Sequence, residues 1–66
     1  MIEAKDMNGA EVKVGSRVVY QFGEPPYARG EVKMINRTEG WAQIEITAVR
    51  SVGQVLEATF DTLKVI

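Results

Sequence analysis

The sequence predicts an all-β domain, a small barrel of five to six strands with a one-turn helix before the last strand. Three observations predict it. Apolar and polar residues alternate at period two almost from end to end. Turn-forming residues interrupt that alternation at short intervals. No window carries the i, i+3, i+4 spacing of an amphipathic helix. The chain has 66 residues, 45% of them hydrophobic and 26% charged, which is too apolar for disorder. That length holds one domain, residues 1–66, and no repeat or low-complexity tract divides it.

The elements follow in order. Ile2 and Ala4, then Val12 and Val14, alternate with polar residues on either side of Asp6-Met7-Asn8-Gly9, and Asn-Gly is a strong hairpin signal. Gly15-Ser16 breaks the chain. Arg17 to Phe22 is rich in β-branched and aromatic residues and places Val18, Tyr20 and Phe22 on one face. Gly23 to Gly30 is a loop, because the adjacent Pro25 and Pro26 cannot sit in a central strand. Glu31 to Asn36 resumes the alternation with Val32 and Met34 inward, and Arg37 to Gly40 turns. Trp41 to Val49 is the clearest strand: Ala42, Ile44, Ile46 and Ala48 point inward, while Trp41, Gln43, Glu45 and Thr47 point outward. Ser51-Val52-Gly53 is a tight turn, and Gln54 to Phe60 sets Leu56, Ala58 and Phe60 inward. Asp61-Thr62-Leu63 reads as a single helical turn capped by Asp61, and Lys64 to Ile66 closes as a short strand.

Strands this short cannot make two packed sheets, but a sheet closed on itself lets each contribute one inward row to one core. The expected core is Val12, Val18, Tyr20, Val32, Met34, Ile44, Ile46, Leu56, Ala58, Phe60, Leu63 and Val65.

Composition excludes several chemistries. With no cysteine there is no disulfide, thiolate nucleophile or thiolate-held zinc, and with no histidine the usual general base and transition-metal ligand are missing. No catalytic residue, cofactor or metal is therefore assigned. Eight basic residues face nine acidic ones, for a net charge of −1, and their scatter leaves little to grip a phosphate backbone. The first residues lack the basic and apolar pattern of a secretory signal, and no apolar run approaches the length of a membrane span, so a cytoplasmic protein is expected.

The order of parts resembles an SH3-like barrel: Val14-Gly15-Ser16-Arg17-Val18, a proline-bearing loop, Gly30-Glu31-Val32-Lys33-Met34-Ile35, two hairpins, a one-turn helix and a final strand. Arg29 to Ile35 is similar to the KOW element of transcription and ribosomal factors, which implies an RNA or protein partner, and Tudor-type barrels share the shape. From Val14 to Ile66 the layout is also similar to plasmid-encoded type II dihydrofolate reductase, through Gly15-Ser16-Arg17-Val18, Gly30-Glu31-Val32, Glu39-Gly40-Trp41 and Leu63-Lys64-Val65-Ile66. That family's Val-Gln-Ile-Tyr motif falls on Val55-Leu56-Glu57-Ala58, where only Val55 matches. The resemblance implies the fold and none of the catalytic roles.

Candidate binding residues are apolar and aromatic. Ile35 is expected to face Trp41, and Val49 to face Val55, each pair on the outer surface, where apolar patches mark interfaces; the alternative is a register slip or bulge that swings Trp41 over the barrel end as a core lid. Tyr27 stands at the tip of the proline loop, either exposed for binding or folded over the barrel end. Arg37 and Lys33 flank the turn before Trp41. Glu31 and Glu45 are expected to face each other as solvated side chains, if Lys33 pairs with Gln43. These residues point to a non-catalytic module that engages a protein partner, or itself, through Trp41, Ile35, Tyr27, Arg37, Val49 and Val55. A KOW-like nucleic-acid module is the first alternative, and an oligomeric enzyme with a site at subunit contacts is the second. Resemblance to small free-standing barrels suggests a phage or mobile-element origin.

Overall fold

Five antiparallel strands form one sheet in the computed structural model, which describes residues 1–66. They are β1 (Arg17–Tyr20), β2 (Ala28–Asn36), β3 (Trp41–Ala48), β4 (Val55–Thr59) and β5 (Leu63–Val65), and one 3-10 turn, Phe60–Thr62, precedes β5. The strand order is β4-β3-β2-β1-β5. Every strand, the 3-10 turn and the N-terminal arm send a residue into one buried cluster: Val12, Val18, Val32, Ala42, Ile44, Ile46, Ala58, Phe60 and Leu63. A single sheet whose strands all meet in one cluster is compatible with a small barrel-like fold. Pairing does not close it, however, because β4 and β5 are both edges.

The N-terminal segments expected as strands form an irregular arm held by one bridge, Lys5 to Glu11. Asp6 explains why. Its Oδ1 accepts the N–H groups of Asn8 and Ala10, both at 2.8 Å, so the side chain organises the turn that the Asn-Gly signal located. Asp6 Oδ2 accepts the Val65 N–H at 2.7 Å, and the Met7 N–H donates to the Leu63 carbonyl at 3.0 Å. The arm thus caps the open side of β5 instead of extending the sheet, and Val12 enters the core from it.

Two bulges shape the central hairpin. Arg29 pairs with Ala48 and Gly30 with Ile46, so Thr47 is an extra residue on β3. A Cβ on Gly30 would stand 2.6 Å from the Glu45 carbonyl oxygen, which reserves that close approach for glycine. Val32 pairs with Ile44 and Met34 with Gln43, so Lys33 is an extra residue on β2. This second bulge reverses the alternation that placed Met34 in the core. Met34 is exposed, and Ile35 turns inward against the cluster, paired with Ala42. The other expected core residues are buried or pack against the cluster.

Candidate functional site

The expected outer pairs do not form. A four-residue turn at 37–40 sets Trp41 opposite Asn36, and Ile35 lies one step further along on the other face. The β3–β4 loop is longer than a three-residue turn. Val55 pairs with Glu45, and the Ile46 carbonyl accepts the Gly53 N–H, so Val49 sits in the loop and not across from Val55.

The six candidate residues therefore fall in separate places. Trp41 is half-buried on the outer face between Asn36 and Thr59. Val55 is exposed on the same face at the edge strand. Ile35 and Arg37 border a shallow recess beside Met1 and Val14. Arg37 is already engaged there, because its Nε donates to the Ile2 carbonyl at 3.0 Å and its own carbonyl accepts the Ile2 N–H at 2.8 Å. Tyr27 is half-buried just before β2. Of the six, only Val49 reaches the cleft at the end of β1.

That cleft, about 400 Å³, lies where the end of β1, the proline loop, the β3–β4 loop and β4 converge. Its floor is Tyr20, stacked on Phe22 with ring centroids 5.7 Å apart and planes at 10°. Pro25, Pro26, Val49 and Leu56 supply apolar walls, and Glu24 and Arg50 put one charge of each sign among the lining. The Gln21 N–H donates to the Thr62 carbonyl, which holds the chain just past β1 and carries Phe22 beyond the sheet. Phe22 remains 69% exposed. The period-two pattern correctly put Tyr20 and Phe22 on one face, yet alternation carries no sign of where the sheet stops covering that face.

Glu31 and Glu45 do pair directly across β2 and β3. Lys33, projected outward by its bulge, places Nζ 3.5 Å from Glu31 and 3.8 Å from Glu45. An ammonium group thus sits where a cation would bind two carboxylates, and no enclosed pocket surrounds it. Of the other basic residues, Arg17 and Arg29 share a recess with Glu31, Lys64 lies across Val19 from Arg29 on the same face, Lys13 pairs with Glu11, Arg37 holds the arm, and Arg50 lines the cleft.

The one buried ionisable side chain is Asp6. Burial pushes its carboxyl pKa up, but hydrogen bonds from the N–H groups of Val65, Ala10 and Asn8, with the nearby Gly9 N–H that bonds the Asp6 main-chain carbonyl, outweigh that and hold it below the ordinary value of 3.8. Both its oxygens accept bonds from the fold's own backbone.

No family model matches the chain, and neither a curated protein nor a solved structure matches it. No helix is long and apolar enough to cross a membrane.

Proposed function

We propose that this protein is a non-catalytic binding module of the SH3-like barrel class that engages a protein partner through an exposed apolar and aromatic surface. The class is supported by a β1–β4 meander whose last strand, β5, returns to pair with β1 after a single 3-10 turn. One observation carries the function. Phe22, stacked on Tyr20, stays 69% exposed beside Val49, itself 51% exposed, in a cleft of mixed apolar and charged lining. An exposed aromatic anchor in a concave apolar site is the usual centre of a protein contact. A nucleic-acid surface draws less support, since the net charge is −1, Lys33 is matched by two glutamates, and the recess of Arg17 and Arg29 also holds Glu31.

The test is affinity capture on immobilised protein, wild type against Phe22→Ser. A retained protein that survives nuclease treatment and is lost with Phe22→Ser supports the reading. Retention of nucleic acid alone, or capture indifferent to the substitution, overturns it.

A further inference from the structure

The two edges of the sheet are finished differently. At β5 the arm covers the edge, with Val65 N–H on Asp6 and the Leu63 carbonyl under Met7. At β4 nothing does so. The Ile46 N–H donates to Gln54 at 2.8 Å and the Phe60 N–H to Gly40 at 3.2 Å, which fixes the hydrogen-bonding phase of the β3–β4 ladder at both ends. Antiparallel alternation between those points turns the backbone groups of Leu56 and Ala58 toward β3 and those of Val55 and Glu57 away from it. No strand lies beyond β4, and it contains neither a proline nor a bulge. Of the features that guard an exposed edge, this short strand carries a single charge, Glu57.

The side chains along this edge are equally specific. Val55, Glu57 and Thr59 share the outer face, opposite Glu45, Gln43 and Trp41, and Leu56 and Ala58 face the core. Glu57 has no ion-pair partner. Exposed Val52 and Val49 continue the apolar border into the preceding loop. We infer that the β4 edge receives an extended segment of a protein partner as a sixth strand, with a basic side chain set against Glu57 and an apolar one beside Leu56. The inference rests on the protein-binding reading above and assigns the partner its chemistry. Charge selects against a second copy, because antiparallel pairing of β4 with itself sets Glu57 directly or diagonally against its own counterpart.

The probes are short capped peptides of alternating valine and threonine with lysine, or in a control glutamate, at the centre. Binding is read from the backbone amide resonances of the full chain. The lysine peptide is expected to shift Val55 and Glu57 saturably, to slow exchange of their amides, and to bind about tenfold more tightly than the glutamate peptide. Glu57→Lys should invert that preference. Val55→Pro, at the first residue of β4, removes an outward-facing N–H without breaking a β3–β4 hydrogen bond, so it should abolish binding while the spectrum stays dispersed. Equal binding of both peptides, shifts confined to other strands, or binding unchanged by Val55→Pro overturns the proposal. So does a peptide-free dimer joined through β4. If these outcomes overturn edge pairing while Phe22-dependent capture persists, only the edge assignment fails; loss of that capture strikes the broader reading instead.

Discussion

Asp6 and Val65, separated by 59 positions in the chain, are joined by a 2.7 Å hydrogen bond from the Val65 N–H to the Asp6 carboxylate. The same carboxylate holds the Asn8 and Ala10 N–H groups, so one side chain both shapes the arm and fastens it to the last strand. Asp6→Ala removes the acceptor from all three donors. Bonds to a charged group contribute about 1.5–3 kcal/mol each and are not additive, so a loss of about 2–4 kcal/mol in urea unfolding is expected. A change under about 0.5 kcal/mol would mean the arm contributes little to stability.

The same group sets an acid limit. Its folded pKa lies below 3.8, so the folded state binds a proton less readily than the unfolded chain does. The Asp6 contribution is therefore complete above the unfolded value and is lost as pH falls through the folded one. Urea midpoints should drop more steeply below about pH 4 for wild type than for Asp6→Asn, which has no carboxylate to titrate. Parallel curves would refute the linkage.

The Lys33 bulge makes a local prediction. Met34 lies outside and Ile35 inside, opposite to the plain alternation of the strand. Met34→Lys should alter stability by less than about 0.5 kcal/mol. Ile35→Lys drives a charge toward the cluster and should cost several times more, about 2–4 kcal/mol. The reverse ranking in chemical denaturation would restore the unbulged register.

Gly30 tests a close backbone approach between β2 and β3. The added methyl of Gly30→Ala meets a main-chain oxygen at 2.6 Å, and a carbonyl fixed in a ladder cannot rotate away as a side chain would. A loss of about 1–3 kcal/mol is expected, the range for overpacking. A neutral result in thermal melts would show that the Thr47 bulge relaxes to admit it.

What was legible in the sequence follows from what period two encodes. Alternation reports which face a residue occupies while a strand stays regular, so the rows from Trp41 to Ile46 could be read directly, whereas the extra residue at Thr47 sets Ala48, expected inward, opposite exposed Arg29 and outside the core. It is blind to an inserted residue. One extra residue at Lys33 exchanged Met34 for Ile35 in the core, and a loop running past Ala48 carried Val49 away from Val55. Asp6 was hidden for another reason: Asp-Met-Asn-Gly announces a turn, while the carboxylate's third partner, Val65, lies at the far end of the chain. An Asp at the head of a turn that must also dock was the available signal. The cleft is a product of loops converging in space, and residues such as Phe22 and Val49, far apart in the chain, show no spacing that links them.

Lys33 provides the last prediction. Exposed ion pairs contribute about 0.2–1 kcal/mol, and this ammonium, with its side chain 42% exposed, belongs to that class. Its removal has a second effect, because Glu31 and Glu45 stand directly opposite each other and like charges in that position repel. Lys33→Ala should therefore lose about 1 kcal/mol at low salt, toward the upper end for an exposed pair. The loss should shrink in 1 M salt, where the Debye length falls to about 3 Å. Adding Glu45→Gln to the Lys33→Ala chain removes the repulsion and should recover part of the loss, whereas Glu45→Gln in the wild type should be neutral or slightly destabilising. That opposite response in the two backgrounds is the signature of one lysine serving two carboxylates. Additive single and double variants, unaffected by salt, would show three independently solvated charges.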